Sequence, residues 1–314
     1  MKLHLVLNRD GGTFSTLDMD AFRSAARALL VASGHEATFD VVAGVDVEEA
    51  LARGADKSGI DAMIAGGGDG TISAAARACW KSGMPLGVLP AGTMNLFARS
   101  LGLFPLGLEA ALAALAHSEI ASVDISSVNG KGFIHQFAAG LHPRMVRFRN
   151  RYDYATRLGK IRASVQAAVD VIFDPPSFQV EARVDGASER STVSLISVSN
   201  NPFGPDPLMF QDRLDTGYLG FYTAPAMPPA EVARLALDIL RARRDRNPLL
   251  TEHRAKAVSL SFPRYRTGAN MVLDGELLPL PREADFCIHP GALNVLRPVN
   301  DLLPGTVRVE AQTP

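Results

Sequence analysis

The chain has 314 residues, of which 47% are hydrophobic and 21% are charged, a composition that excludes a disordered, collagen-like or coiled-coil protein. Its length predicts two domains, or one domain with a large extension. Thirty-two basic residues against 33 acidic ones leave a net charge of −1, which argues against a general nucleic-acid-binding protein. The two cysteines, Cys79 and Cys287, lie far apart, so we expect a reducing compartment, no disulfide framework and no structural zinc.

The hydrophobic segments are short. The N-terminal apolar run covers about five residues, which is too few for the core of a signal peptide. The longest apolar stretch elsewhere, near residues 110–116, falls far below the roughly 20 residues that span a bilayer. We therefore expect a soluble, cytoplasmic protein whose membrane contact, where it exists, is peripheral and at the inner face.

The first part of the chain alternates apolar strands with helical patterns. Strands are predicted at 3–7, 37–42, 62–65 and 86–89, and helices at 18–32, 47–53 and 73–82. This alternation predicts an α/β lobe with a parallel sheet.

From residue 123 onward, strand-like runs follow one another. They are predicted at 123–128, 133–138, 178–184, 192–199, 218–223, 258–262, 271–273 and 285–288. Helical patterns near 157–173 and 229–244 interrupt them. The second lobe is therefore predicted to be mainly antiparallel and sandwich-like. We place the first lobe at residues 1–122 and the second at 123–295.

A glycine-rich segment with the sequence GGGDGT follows the third predicted strand at residues 66–71. Glycines let the backbone approach a ligand closely, and the start of a helix attracts anions, so the segment predicts an anion cradle. The alternative is a tight turn without a ligand. Asp69 would repel phosphate unless it contacts Mg²⁺ or accepts a proton from an attacking hydroxyl; the alternative here is a cap on the following helix.

A second polar turn follows the next strand. Gly92, Thr93 and Asn95 stand where a helix is expected to begin, and they would either bind a phosphate or cap that helix. The sequence contains no Walker A loop, no G-x-G-x-x-G, no G-x-S-x-G and no H-E-x-x-H motif. The seven histidines are scattered along the sequence, and we expect them to be structural or surface residues and not ligands.

Motifs along nearly the whole chain resemble the diacylglycerol kinase catalytic-domain family, in particular soluble bacterial lipid kinases related to sphingosine kinases. The matching segments lie at 8–12, 67–71, 86–102, 137–140, 199–204, 214–219, 273–276 and 289–293. Because they occur in the family's order, the resemblance covers both predicted lobes.

The resemblance implies an active site in the cleft between an ATP-binding lobe and a β-rich lipid-side lobe, with residues 296–314 returning to the first lobe. It implies ATP and Mg²⁺ as cofactors, with Asp69 reaching the metal through ATP. The implied nucleotide-binding residues are Asn8, Gly11, Gly12, Gly66, Gly67, Gly68, Asp69, Gly70, Thr71, Gly92, Thr93 and Asn95.

The family's D-G-E turn corresponds to Asp274, Gly275 and Glu276. A turn of this composition is usually a solvated hairpin tip. In the family it faces the nucleotide and carries the proton acceptor. We therefore predict Asp69, Asp274 and Glu276 as the catalytic residues, and the sequence leaves open which of them is the base.

The chain departs from the family pattern at three places. Ser73 and Ala74 replace an Asn-Glu pair after the GGDGT motif, which removes one carboxylate. Arg9 and Asp10 occupy a loop that usually carries proline and a small residue. Near Asp215, position 216 is Thr where the family has an aspartate that binds a structural Mg²⁺, so we predict that this site is lost or weak.

Two stretches bear on partners. Residues 144–162 are strongly basic and would face an anionic membrane or form a solvated surface. Residues 231–246 combine an apolar stripe with several arginines and would form either an interfacial helix or a helix docked on its own sheet. We expect a lipid partner at the membrane surface and no nucleic acid, and we leave a homodimer open.

These features predict an ATP- and Mg²⁺-dependent kinase for a lipid hydroxyl, with diacylglycerol converted to phosphatidic acid as the reaction that the resemblance implies. One alternative is a kinase for a sphingoid base, an isoprenoid alcohol or a soluble alcohol; NAD kinase fits the later motifs less well. Another is a nucleotide- or lipid-binding protein with little catalysis.

Overall fold

The computed structural model describes residues 1–149, 171–264 and 268–299. The contacts divide the chain into two compact units. Among the described residues, the first is Met1–Val123 together with residues 293–299, and the second lies within Asp124–Ala292.

The first unit is a parallel sheet covered by helices. Its elements in chain order are β1 (Lys2–Asn8), α1 (Met19–Ala32), β2 (Glu36–Val42), α2 (Val47–Ala55), β3 (Ala62–Gly67), α3 (Asp69–Ser82), β4 (Leu86–Pro90), α4 (Leu96–Ser100) and α5 (Leu108–Ala116). The strand order is β2-β1-β3-β4, and Val295 near the end of the chain pairs in parallel with Leu86 of β4. Every residue of β3 and β4 is buried, as expected for a sheet covered on both faces.

The second unit is antiparallel. Its elements in chain order are β5 (Ser118–Val128, shared with the first unit), β6 (Lys131–Phe133), β7 (Gln136–Gly140), α6 (Leu141–Arg149), β8 (Phe178–Val184), β9 (Ala187–Ser199), β10 (Leu219–Pro225), α7 (Pro229–Leu240), β11 (Thr251–Ala255), β12 (Ala257–Ser261), β13 (Asn270–Leu273), β14 (Glu276–Pro279) and β15 (Glu283–Pro298, which continues into the first unit).

Strand pairing in the second unit runs β14-β13-β7-β9-β8-β12-β15, while β10 pairs with β9 and β11, and β5 with β6. Aromatic side chains fill its core, where the rings of Phe137 and Phe286 lie 4.9 Å apart, edge to face. A smaller cluster joins α6 and α7 to the sheet through Leu141, Ala224 and Leu235. The predicted fold class, a parallel α/β lobe followed by a β-rich lobe, is confirmed.

Several predicted element boundaries were wrong. The third helix begins at Asp69 and not at Ser73, because the GGGDGT segment splits between β3 and α3. The helix predicted at 229–244 ends at Leu240, and a 3₁₀ turn follows at Arg244–Arg246. The helix predicted near 157–173 lies mostly outside the described residues. None of the helices in the described ranges is both long and apolar enough to cross a membrane.

Candidate functional site

Three loops of the first unit meet at the carboxyl ends of β1, β3 and β4. Asn8 donates a hydrogen bond from Nδ2 to Thr71 Oγ1 at 3.1 Å. The N–H of Thr13 donates to the Ala91 carbonyl at 2.8 Å, and the N–H of Ala91 donates to the Gly67 carbonyl at 3.0 Å. Because these strands are parallel neighbours, the sheet brings together residues as far apart in the sequence as Thr13 and Ala91.

Two glycines let these loops approach each other. Gly12 has φ of +51°, and a Cβ there would lie 1.8 Å from the Ala91 carbonyl oxygen. A Cβ on Gly92 would lie 2.7 Å from the Cα of Gly68. No side chain fits at either place, so backbone groups form the surface where β3 and β4 end.

The glycines of β3 have a packing role. Gly66 and Gly67 are buried in the strand. A Cβ would lie 2.6 Å from the Leu7 side chain at Gly66, and 2.6 Å from the Thr71 side chain at Gly67. Their direct contact with ATP stays a prediction. Gly68 and Gly70 are half-buried, on either side of the start of α3, where amide groups have no partner within the helix.

Asp69 joins two of the loops. Its Oδ2 accepts from the Asn95 N–H at 3.1 Å and its Oδ1 from the Leu96 N–H at 2.7 Å, at the start of α4. The alternative that Asp69 caps the helix that follows it is wrong, because the N-cap of α3 is Gly68. The Asp69 carboxylate instead accepts N–H groups at the start of α4. Both carboxylate oxygens therefore have a structural contact.

The second polar turn is closed by Asn95. This residue is buried with φ of +50°; its Oδ1 accepts from the Gly92 N–H at 2.9 Å, and its Nδ2 donates to the Gly92 carbonyl at 2.9 Å. The Asn95 side chain is thus engaged within the turn. Thr93 is exposed, so its hydroxyl is accessible to a ligand.

The unusual first loop has an internal explanation. The Asp10 carboxylate accepts from the Gly44 N–H at 2.8 Å, and the Asp10 N–H donates to Asn8 Oδ1 at 3.1 Å. Gly11 donates its N–H to the Asn8 carbonyl at 3.1 Å. Asp10 therefore fastens this loop to the segment after β2, a role that the sequence did not indicate.

In the second unit, Asp274 and Gly275 form the turn between β13 and β14, with φ of 47° and 86°. The carboxylate of Asp274 is buried and accepts backbone N–H groups of Ile134 at 3.0 Å, His135 at 2.9 Å and Gln136 at 3.1 Å. The alternative of a solvated hairpin tip is therefore wrong for Asp274, because its carboxylate fixes the connection from β6 to β7.

Glu276 differs from the other two candidate carboxylates. It is half-exposed at the start of β14, and pairing places it opposite Leu273. Within the described part of the chain, its side chain makes no recorded hydrogen bond or ion pair. Asp69 and Asp274 accept backbone N–H groups with both oxygens, so Glu276 is the one of these three carboxylates without such contacts to described residues.

The turn near Asp215 does not fit the structural Mg²⁺ that the resemblance implies. Thr216 donates from its N–H and from Oγ1 to Asn201 Oδ1, at 2.9 and 2.6 Å. Asp215 is exposed and accepts from Arg213 Nε at 3.0 Å. A hydroxyl donor stands where a hard cation would require a carboxylate. No cluster of three or more potential metal-ligating side chains occurs among the residues with described placement.

A buried carboxylate that the sequence analysis missed supports the same turn. Asp124 accepts from the Gly217 N–H at 2.7 Å and from the Gly291 N–H at 2.9 Å. It lies between Val123 and Ile125 in β5, and an acid within an apolar strand was the available signal.

His289 and Cys79 have structural settings. Burial lowers the pKa of His289, whose Nε2 lies 2.9 Å from Ser127 Oγ. Burial raises the pKa of the Cys79 thiol to about 12, so it remains protonated and is a poor nucleophile.

The two predicted surface stretches are only partly described. In residues 144–162, Arg144 forms an ion pair with Asp174, and positions 150–162 lie outside the described residues. In α7, Val232 and Leu235 pack into the smaller cluster, so the interpretation of a helix docked on its own sheet is confirmed. Leu237 and Leu240 on the same helix remain exposed.

Comparisons with known proteins decide the family. The profile of the diacylglycerol kinase catalytic domain matches residues 2–128. A Pseudomonas aeruginosa protein named "Probable lipid kinase YegS-like" is 30% identical over 267 residues, covering 82% of each chain. The chain belongs to the diacylglycerol kinase catalytic-domain family. This membership confirms the predicted resemblance and places the chain in the predicted class, the lipid kinases.

Other known proteins are also similar to this chain over most of its length. A diacylglycerol kinase from Staphylococcus saprophyticus is 27% identical over 228 residues, covering 69% of this chain and 70% of the relative. An uncharacterised Synechocystis protein is 24% identical over 257 residues, which is 78% of this chain but 57% of that protein, so the chain spans little more than half of that relative. A crystal structure of a diacylglycerol kinase from Bacillus anthracis has a TM-score of 0.66 at 16% identity, covering 94% and 96% of the two chains. A second structure from that organism reaches 0.75 at 20% identity, covering 94% and 95%. Both structures share the fold.

Proposed function

We propose that the chain is an ATP-dependent lipid kinase that transfers the γ-phosphate to a lipid hydroxyl, with diacylglycerol as acceptor and phosphatidic acid as product. The observation that carries the proposal is the meeting of three glycine-bearing loops at the ends of β1, β3 and β4. Family membership supports the lipid acceptor, since named relatives are lipid kinases and diacylglycerol kinases.

Backbone groups of the first unit would bind the phosphates of ATP. The first turn of α3 offers amides without partners inside the helix, and its positive dipole end favours an anion. Gly68 and Gly92 have no side chains to shield these amides. The exposed hydroxyl of Thr93 would donate to the same phosphates.

Asp69 would hold Mg²⁺ together with the ATP phosphates. Mg²⁺ commonly uses one or two carboxylates plus substrate phosphates and water, so a single carboxylate at this position fits the ion. When bound, the ion would neutralise charge on the transferred phosphoryl group. Asp69 also fixes the start of α4 through two N–H groups, so the same side chain would position the second polar turn.

Glu276 would act as the base. Its carboxylate would accept the proton of the acceptor hydroxyl while that oxygen attacks the γ-phosphorus. The bond from this phosphorus to the bridging oxygen breaks, and ADP leaves with the electron pair. Asp274 would act as a positioning residue, because its oxygens hold the N–H groups of residues 134–136.

A second candidate function is nucleotide or lipid binding with little catalysis. Where the family has an Asn-Glu pair, Ser73 is buried and accepts from Arg77 Nη1 at 2.8 Å, and Ala74 carries no polar group. The start of α3 therefore has only Asp69 as a carboxylate.

The proposed lipid would be taken from the inner membrane face by peripheral contact. Leu240 is 71% exposed and Leu237 is 43% exposed on α7, and Arg234 and Arg241 are exposed beside them in sequence. Apolar and basic side chains together favour an anionic interface.

A lipid-extract assay tests the proposal. The full chain is incubated with γ-labelled ATP, Mg²⁺ and mixed micelles of total bacterial lipid, beside Asp69→Asn and the matched control Asp56→Asn, an exposed acid of the same unit. We expect a labelled lipid that co-migrates with phosphatidic acid, reduced at least tenfold in Asp69→Asn and unchanged in the control. Label in a sphingoid or isoprenoid phosphate would identify that lipid alcohol, and not diacylglycerol, as the acceptor. ATP binding without any labelled product would favour the second candidate.

A further inference from the structure

A cavity of about 830 Å³ in the second unit is not used by the proposed reaction. It lies beside the start of α6 and reaches Asn270 and Leu280. Those two residues are at the opposite end of the β13–β14 hairpin from Asp274 and Gly275. In an extended strand the Cα atoms of Asn270 and Asp274 would be about 13 Å apart, so the cavity is separate from the proposed base.

The polar part of the cavity is cationic. Arg144, Arg147 and Arg264 line it, and none of the other described residues that line it is an aspartate or a glutamate. The carboxylate that pairs with Arg144 belongs to Asp174, whose side chain is 76% exposed and outside the lining. Three guanidinium groups beside one cavity favour a phosphate or carboxylate ligand.

One of these arginines is held in place. Arg147 Nη2 donates to the Gly268 carbonyl at 3.3 Å. With the Asn270 amide turned so that its oxygen faces the guanidinium, this oxygen accepts from Nη2 at 2.6 Å and from Nε at 3.2 Å. A guanidinium with fixed contacts loses less side-chain entropy when it binds an anion, so Arg147 is pre-organised.

The other part of the cavity is apolar. Phe178, Phe262 and Leu280 line it, and the two rings lie 6.1 Å apart. All three side chains belong to or pack against the hydrophobic core. A ligand that fills the cavity would therefore contact cations on one side and hydrocarbon on the other.

We propose that this cavity binds the phosphate group of an anionic lipid, with its glycerol and the first part of its acyl chains against the aromatic side. The volume lies within the range of small-molecule sites, about 300–1,000 Å³. A soluble phosphate shares the charge but leaves the apolar side unfilled, so the lipid is the ligand that matches both parts.

Calorimetry with short-chain lipids below their micelle concentration tests the cavity apart from membrane adsorption. Three ligands are titrated into the full chain: dihexanoyl phosphatidate, dihexanoyl phosphatidylcholine and glycerol 3-phosphate. We expect the phosphatidate to bind at least tenfold more tightly than either of the others. It combines an anionic phosphate with acyl chains, whereas phosphatidylcholine lacks the net charge and glycerol 3-phosphate lacks the chains.

Matched variants locate the site. Arg147→Gln combined with Arg264→Gln should lower phosphatidate affinity at least tenfold, and Arg264→Gln alone, a change at an exposed position, should lower it about threefold. The control pair Arg190→Gln and Arg254→Gln removes two exposed charges of the same unit outside the cavity and should leave the affinity within twofold.

Four results would overturn the proposal. The first is unchanged phosphatidate affinity in both cavity variants, and the second is an equal loss in the control pair, which would indicate a general charge effect. The third is loss of binding in Glu276→Gln with none in the cavity variants, which would place the phosphatidate at the reaction centre. Tighter binding of glycerol 3-phosphate than of phosphatidate would show a soluble anion site in place of a lipid site.

Discussion

Asp274 and Glu276 stand two positions apart and have opposite environments. The Asp274 carboxylate is 6% exposed and holds three backbone N–H groups, whereas Glu276 is half-exposed. Both oxygens of Asp274 are therefore engaged by the backbone of residues 134–136. The motif therefore divides into a residue that builds the turn and a residue available for chemistry.

Amide substitutions should separate these two roles. Asp274→Asn replaces one accepting oxygen with a donor facing backbone N–H groups, so we expect the free energy of unfolding to fall by about 2–4 kcal/mol. Glu276→Gln changes a half-exposed side chain and should alter it by less than about 0.5 kcal/mol. Urea denaturation followed by circular dichroism measures both. An equal loss of unfolding free energy in the two variants would contradict a structural role for Asp274 that Glu276 does not share.

His4 makes the stability of the first unit depend on pH. Burial lowers its pKa, and the nearby positive charge of Lys57 lowers it further, against the opposing effect of Asp40. The unfolded chain takes up a proton near the ordinary value of 6.5, and the folded chain does so only at lower pH. Acidification below that value therefore favours the unfolded state.

We expect His4→Gln to weaken this dependence. The loss in unfolding free energy between pH 7.5 and pH 5.5 should be smaller in His4→Gln than in the unchanged chain. His253→Gln, at an exposed position, should leave it unaltered. Urea midpoints at the two pH values measure the effect, and an identical loss in all three proteins would remove His4 as its source.

The loops at the ends of β3 and β4 depend on backbone contact. Gly68 and Gly92 approach so closely that a methyl group on Gly92 would overlap the Cα of Gly68. The hydrogen bonds of Asp69 to α4 and of Asn95 to Gly92 fix the same region. Nucleotide affinity should therefore be sensitive to a single methyl group at this position.

Gly92→Ala should separate the two loops and lower the affinity for Mg²⁺-ATP at least tenfold. Gly107→Ala is the control, because its φ is negative and no atom lies within 4 Å of the added methyl group. Thermal stabilisation by Mg²⁺-ATP reports binding, since a ligand at 100 times its Kd adds about 2.7 kcal/mol. Equal stabilisation of both variants would exclude the loops as the nucleotide site.

The elements that were predicted correctly share a simple sequence pattern. β3 and β4 contain no charged or hydrogen-bonding side chain, and β1 has apolar residues at positions 3 and 5–7 around the buried His4, as expected where both faces of a sheet are covered. The sequence pattern does not predict α5, because LEAALAALA is buried on most sides and shows little polar periodicity. The start of α3 was misplaced because two helical positions, Asp69 and Gly70, carry residues with weak helix propensity.

The candidate site was predictable as a set of residues but not as a set of contacts. The motif order brought Asp69, Asp274 and Glu276 to attention. Asp69 accepts hydrogen bonds from residues 26 and 27 positions away, at the start of α4, and Asp274 from residues about 140 positions away. These contacts depend on the pairing of strands that are distant in the sequence. Local patterns carry no information about such pairs, so the sequence alone could not distinguish the contacts of Asp69 and Asp274 from those of Glu276.

For the molecule as a whole, the proposed function assigns phosphate binding to the loops of the first unit and proton acceptance to Glu276 of the second. The expectation that the active site lies in the cleft between the lobes stays a prediction. A substitution in the second unit that stops phosphate transfer but leaves ATP binding intact would show that the second unit takes part in the reaction.

The most direct measurement is the initial rate of label transfer from γ-labelled ATP to diacylglycerol in micelles, for the unchanged chain, Glu276→Gln and the control Glu283→Gln. If Glu276 is the general base, we expect a rate about 10²–10⁴-fold lower in Glu276→Gln. Mg²⁺-ATP affinity should be unchanged, and the control should be fully active. A Glu276→Gln rate within threefold of the unchanged chain would contradict the role of Glu276 as the base.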